Sequence, residues 1–209
     1  MTHAPDKKDR IIGLYGGTFA PPHAGHVHAA RAFSRHIRPD IFYIMPAFVP
    51  PHKQLDPADS PLDRLEMARL AFGDIPKAVV SDYEIKEGGR SYTVNTLRHL
   101  RSEGEIYMLV GTDMFLSLPQ WREPEEIFRL AHVVLMRRES DPRETDLIEL
   151  AMRRYESEYS ARVSVIGEQA LELSSTELRE KLCRGEGIEG LVCPDVEAYI
   201  RRKGLYGYC

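Results

Sequence analysis

The chain has 209 residues, 28 basic and 32 acidic, for a formal charge of −4. A chain this long buries roughly 70% of its unfolded surface and needs no disulfide or metal staple; with 43% hydrophobic and 29% charged residues it is not a disordered polymer. The acidic balance argues against nucleic acid as a partner, since phosphates call for a dense Lys/Arg face, and no segment approaches the ~18–20 apolar residues of a membrane helix.

Residues 1–10 are polar and read as a flexible lead-in, and the apolar run that follows is too short for a signal-peptide core. Residues 11–209 read as a single domain whose last part, from about 174, is helical. Apolar runs at 11–15, 41–45, 78–83, 106–110, 132–136 and 162–166 predict strands, most of them apolar enough to be buried on both faces. Helical spacing recurs at Val27, Ala30, Phe33 and Ile37, at Leu62, Leu65, Ala68 and Phe72, and at Val94, Leu97 and Leu100. The proline-bearing loop 47–61 is the second expected flexible place, and the charged stretch 139–160 reads as a solvated helix. Val196, Tyr199 and Ile200 close the pattern, with Lys203 and Gly204 as a stop. This alternation predicts an α/β, Rossmann-like fold: a mostly parallel open sheet with helices on both faces. Ligands in such sheets bind beyond the carboxyl ends of the strands, where the strand order reverses. Cys183, Cys193 and Cys209 form no CxxC pair, which suits a reducing cytoplasm.

The first strand runs directly into Gly16-Gly17-Thr18-Phe19-Ala20-Pro21-Pro22-His23-Ala24-Gly25-His26. Glycines at a strand end let the backbone approach a bulky ligand, and the next helix directs its N–H groups at the same space. His23 and His26, three apart, can both project from the first helical turn and donate to phosphate oxygens. As half a zinc site they lack nearby Cys or His ligands, so no metal is expected from protein side chains. Gly185-Glu186-Gly187-Ile188-Glu189-Gly190 satisfies GxGxxG but follows a helix and carries two glutamates, so it reads as a connection between helices. No GxxxxGK[ST] phosphate loop occurs.

Other polar positions admit two readings each. Ser174-Ser175-Thr176 can be a plain helix cap centred on Ser175, and Arg179 a surface cation. Trp121, the only tryptophan, can be a core aromatic. Asp113 can cap a helix over 114–118 or, lying beyond a strand end beside Gly111, accept from ribose hydroxyls. Ser91 or Thr93 can cap the helix that Tyr92 and Thr93 begin.

Taken together, GGTF…HxGH, Val49-Pro50-Pro51-His52-Lys53, Ser91-Tyr92-Thr93, Gly111-Thr112-Asp113, Pro119-Gln120-Trp121 and Leu173-Ser174-Ser175-Thr176-Glu177-Leu178-Arg179 resemble, in order and over nearly the whole chain, the HxGH nucleotidyltransferase superfamily. Within it they are similar to the bacterial nicotinate mononucleotide adenylyltransferases. The resemblance implies transfer of AMP from ATP to nicotinate mononucleotide, giving deamido-NAD and pyrophosphate in NAD biosynthesis, with Mg²⁺ carried by ATP. It implies catalytic roles for His23 and His26 at the α-phosphate and for Arg179 at the departing pyrophosphate. Gly16, Gly17, Thr18, Phe19, Gly111, Asp113, Ser174, Ser175 and Thr176 would surround ATP, and Lys53, Tyr92, Thr93 and Trp121 the mononucleotide. By position, His52 and Lys53, on the loop leaving the second strand, can meet a substrate phosphate or only water, and Arg138, after the strand at 133–136, can approach the adenine or phosphates. Ala20 departs from the family, which usually has Asp or Asn there. Another acceptor (nicotinamide mononucleotide or phosphopantetheine) or a catalytically inactive nucleotide-binding regulator are the alternatives. A synthetase fragment is disfavoured by the lack of a KMSKS-type lysine loop. No nucleic-acid or membrane partner is expected, and homo-oligomerisation is left open.

Overall fold

The computed structural model describes residues 10–51, 59–137 and 142–207. The expected flexible lead-in, Lys53, His52, Arg138 and Cys209 lie outside the described residues. Strands β1 (Ile11–Gly17), β2 (Ile41–Pro46), β3 (Ala78–Val80), β4 (Glu105–Gly111), β5 (Ala131–Met136) and β6 (Val163–Ile166) form one sheet in the order β3-β2-β1-β4-β5-β6. All its pairings are parallel. The order reverses between β1 and β4, so the ends of these two strands open a crevice at the switch point.

Helices cover both faces, as the two buried apolar clusters show. One cluster holds Phe33 of α1 (Ala24–Ile37), Phe72 of α2 (Pro61–Phe72), Leu178 of α8 (Ser175–Cys183) and Ile200 of α9 (Pro194–Lys203). The other holds Leu97 of α4 (Thr93–Leu100), Phe115 of α5 (Thr112–Ser117), Phe128 of α6 (Pro124–Leu130) and Tyr155 of α7 (Pro142–Tyr159). The row Val27–Ala30–Phe33–Ile37 and the pair Ala68–Phe72 face the first cluster as their spacing predicts, and Leu65 is buried beside them without joining it. Leu62 does not face it; it overhangs the first turn of α2, 66% exposed.

Two element readings need correction. The third strand stops at Val80, because Ser81 N–H makes a closing bond to Ile44 O and α3 (Tyr83–Glu87) begins just beyond. The charged stretch is not simply solvated: α7 buries Ile148 and Tyr155, the latter against Phe115 of α5 and Phe128 of α6, and Tyr155 Oη donates to Phe115 O at 2.9 Å.

Gly13 interrupts the apolar run of β1 for a packing reason. A Cβ there would lie 2.7 Å from both Phe33 and Phe42, whose rings stack with centroids 4.7 Å apart over the strand. We expect Gly13→Ala to cost about 1–3 kcal/mol by overpacking. Urea unfolding measures it, and an unchanged midpoint would refute that packing argument.

Candidate active site

The chain leaves β1 through Gly16-Gly17 and turns into α1. A Cβ on Gly16 would meet nothing within 4 Å, so bare backbone faces the crevice, whereas one on Gly17 would strike the Phe19 ring at 2.7 Å. Phe19 is itself core: 1% exposed, edge-on to Phe72 and to His26, each 5.2 Å away. Its ring supports the loop, leaving only its backbone to offer a ligand.

His23 is the N-cap of α1, and the two histidines cap each other. His26 N–H donates to His23 Nδ1 at 3.3 Å, and His23 N–H to His26 Nδ1 at 3.2 Å. This is a capping box with imidazoles in place of the usual hydroxyl and carboxylate. The rings stack with centroids 3.7 Å apart. With Nδ1 accepting, each neutral ring carries its proton on Nε2, the donor that a phosphate oxygen requires. Gly25 makes the arrangement sterically feasible, since its Cβ would lie 2.9 Å from Leu171 O and 3.1 Å from the His23 ring. No acidic side chain occupies the first turn of α1, so its positive end is uncompensated there.

The tip of α8 meets this loop. Ser174, not Ser175, is the N-cap, accepting from Thr176 N–H at 3.2 Å. The Ser175 hydroxyl instead donates to Pro21 O at 3.0 Å. Arg179 donates from Nη1 to Ala20 O at 2.7 Å and from Nη2 to Thr176 Oγ1 at 3.1 Å. Position 20 thus serves through its carbonyl, and its methyl is buried. Two helix tips far apart in sequence are pinned side by side.

The opposite wall is built by α4, α5 and the turn after α5. Asp113 lies inside the first turn of α5, whose N-cap is Gly111, so the capping reading for Asp113 fails. Tyr92 is the N-cap of α4, and no side chain caps that helix; Ser91 Oγ accepts from Phe48 N–H at 2.8 Å instead. The guanidinium of Arg122 lies 4.7 Å above the Tyr92 ring. Trp121 is half-buried, its Nε1–H donating to Ser117 Oγ at 3.1 Å. Glu84 completes this wall, accepting from Thr96 Oγ1 at 2.6 Å. Burial pushes its carboxyl above the usual range, against the opposing pull of hydrogen bonds from Thr96 and Ser91. Sequence reasoning missed Glu84 and Thr96; a lone Glu after a strand carries no periodic signal.

These walls enclose a cavity of about 760 Å³. Every sequence-expected site residue within the described stretches lines it: Gly16 to Phe19 and the histidines on one side, Ser174 to Thr176 and Arg179 beside them, and Gly111, Asp113, Tyr92, Thr93 and Trp121 across from them. The site therefore offers backbone N–H groups, imidazole donors and a guanidinium to polyphosphate at one end, and aromatic surface at the other.

Comparison with known proteins places the chain in a family. The cytidylyltransferase-like family matches residues 14–181. A Synechococcus sp. (strain JA-3-3Ab) protein named "Probable nicotinate-nucleotide adenylyltransferase" is 38% identical over 205 residues, covering 97% of each chain. A Chromobacterium violaceum protein of the same name is 36% identical, over 93% of this chain and 98% of its own. Among solved structures, Plasmodium falciparum nicotinic acid mononucleotide adenylyltransferase complexed with APC superposes with a TM-score of 0.72 at 17% identity, over 96% of this chain and 98% of that one. The same enzyme complexed with NaAD gives a TM-score of 0.67 at 16% identity, over the same shares of the two chains. At that identity the structures speak for the shared fold. The chain belongs to the cytidylyltransferase-like family and, within it, to the nicotinate-nucleotide adenylyltransferases.

Proposed function

We propose that this chain joins ATP to nicotinate mononucleotide, releasing pyrophosphate and forming nicotinic acid adenine dinucleotide, in the cytoplasm. One observation carries the reading: the start of α8 is bonded to the loop that leads into α1, through Arg179 to Ala20 O and Ser175 to Pro21 O, beside a glycine-lined cavity. Such a double tip suits a triphosphate, because helix N-termini, imidazole N–H groups and a guanidinium all favour oxyanions.

No nucleophilic side chain is needed. The mononucleotide's 5′-phosphate attacks the α-phosphorus of ATP, the bond to the bridging oxygen breaks, and pyrophosphate leaves with that electron pair. The protein aligns two anions that repel each other and stabilises charge as it shifts to the leaving group. In this reading His23 and His26 donate to the α-phosphate and Arg179 to the departing pyrophosphate. Gly16, Gly17, Thr18, Ser174, Ser175 and Thr176 hold the triphosphate by backbone and hydroxyl groups, and Asp113 accepts from ribose. Mg²⁺ would arrive with the triphosphate. Bound there, it would neutralise phosphate charge.

Trp121 supplies a stacking face for the pyridine ring, and the first N–H groups of α4, beginning at Thr93 beside the Tyr92 N-cap, receive the nicotinate carboxylate, since Tyr92 N–H is already donated to Arg90 O. Donors alone favour a carboxylate over an amide, whose NH₂ would face them. Trp121→Ala should raise KM for nicotinate mononucleotide by roughly 5–100-fold, equivalent to about 1–3 kcal/mol of stacking, with KM for ATP within about twofold. Steady-state kinetics with each substrate varied decides it; a rise in both constants together contradicts the assignment.

Product analysis with ATP, Mg²⁺ and the two pyridine mononucleotides in competition tests the function. The expected product is the nicotinate dinucleotide with stoichiometric pyrophosphate. Binding without pyrophosphate would indicate an inactive regulator, and a preference for the amide would overturn the acceptor assignment.

A further inference from the structure

Arg64 of α2 is the largest fully buried side chain among the described residues, and nothing in the transfer chemistry above uses it. Its Nη1 donates to Thr18 O at 3.0 Å and to Ala47 O at 2.5 Å, and its Nη2 donates to Phe48 O at 2.8 Å. Thr18 belongs to the phosphate loop, whereas Ala47 and Phe48 open the segment after β2 that leads to Pro50 and Pro51 on the cavity wall. Those carbonyls lie where the ends of β1 and β2 leave the sheet ladder, so a fork of several N–H donors is what can satisfy them at once. Among the described residues the carboxylate paired with it is distant: Asp59 Oδ1 lies 3.9 Å from Nε, too far for a hydrogen bond, and itself accepts from Tyr206 Oη at 3.3 Å. The link continues across the cavity wall, since Phe48 N–H donates to Ser91 Oγ and Ser91 bonds Glu84, which holds Thr96 of α4.

We propose that Arg64 is a positioning residue for the transfer, locking the phosphate loop to the acceptor-side loop and so fixing the distance between attacking phosphate and α-phosphorus. A purely structural arginine would be expected to bond one element. This one bonds the phosphate loop and the segment after β2, which Phe48 N–H ties to Ser91 beside the end of α4 where the nicotinate is placed, and it lines neither binding surface itself. The proposal rests on the adenylyl-transfer reading, and its effect falls on alignment rather than on binding of either substrate alone.

The test compares the wild-type chain with Arg64→Met and Arg64→Lys, using kcat per folded molecule, separate calorimetric affinities for ATP and for nicotinate mononucleotide, and amide hydrogen exchange in both loops. Arg64→Met should lose about 10–100-fold in kcat, the scale of a misalignment near 1 Å. Each affinity should stay within about threefold, and exchange near residues 18–20 and 47–51 should quicken together. Arg64→Lys keeps the charge but cannot span three carbonyls, so its kcat should fall between the other two; it carries the test alone if the methionine variant does not fold. A kcat within twofold of wild type, or faster exchange in one loop only, would overturn the proposal. Failure of the wild-type chain to release pyrophosphate with any acceptor would defeat the transfer reading instead, and the exchange readout would still decide Arg64.

Discussion

Replacing His26 with alanine should lower kcat by about 10²–10³-fold, the usual consequence of losing one preorganised donor to a developing charge, while KM for ATP changes little. The reason lies in the capping box. His23 and His26 spend their Nδ1 atoms on each other's backbone N–H, which fixes both rings and puts both protons on Nε2. The imidazoles are therefore set before substrate arrives, and the energy of that ordering is supplied by folding rather than by binding. His26→Ala leaves the His23 cap in place but removes the acceptor of His23 N–H, the reciprocal half of the capping box, a loss of about 1 kcal/mol that thermal unfolding should register. His26→Asn separates the two effects: its side-chain oxygen can still accept from His23 N–H but it has no Nε2 donor at the same reach, so stability should largely return without activity. Wild-type turnover in His26→Ala would remove His26 from the mechanism.

Arg179→Ala is expected to have the second large effect, again about 10²–10³-fold in kcat/KM for ATP, since one charge-assisted donor to the leaving group disappears. The guanidinium already spends one N–H on Ala20 O and another on Thr176 Oγ1, which aims its remaining donors. Arg179→Lys keeps the charge but lacks the fork and reaches fewer acceptors, so it should recover less than a tenth of the lost rate. Full recovery by lysine would mean that charge alone matters and that the aiming bonds to Ala20 and Thr176 are incidental. A drop confined to melting temperature would assign Arg179 to fold stability.

How far these features could be read in advance depended on their physical origin. The six strands were legible because burial on both faces demands continuous apolar runs, and the sheet has that burial at β1, β2, β4 and β5. β3 was read too long because it is an edge strand, with Val79 47% exposed, so its end was set by Ser81 and α3 rather than by hydropathy. Glycines and histidines in the first loop were legible since the turn's chemistry is local: Gly16, Gly25 and the paired imidazoles lie within eleven residues of one another. Ser174 and Ser175 could not be told apart, because which of two adjacent hydroxyls caps and which reaches Pro21 is decided by tertiary contact. Arg64 and Glu84 were invisible for a stronger reason. Arg64 sits two positions after the exposed Leu62 in a helix otherwise patterned for a wet outer face, and its partners are backbone carbonyls, which leave no trace in side-chain spacing.

The Ala20 departure shows how a backbone contact can replace a side-chain inference. With its methyl buried and its carbonyl held by Arg179, position 20 contributes the staple between the two tips, and the histidines orient each other without a carboxylate there.

The account stands on the joint use of the α1 and α8 tips, and a crystal structure with Mg²⁺, nicotinate mononucleotide and a non-cleavable α,β-methylene analogue of ATP tests it most directly. The account predicts the analogue's phosphates between those tips, with His26 Nε2 and the Arg179 guanidinium within hydrogen-bond distance of them and the mononucleotide phosphate in line on the other side of the α-phosphorus. Phosphates bound elsewhere in the cavity, with the α8 tip out of reach, would contradict it.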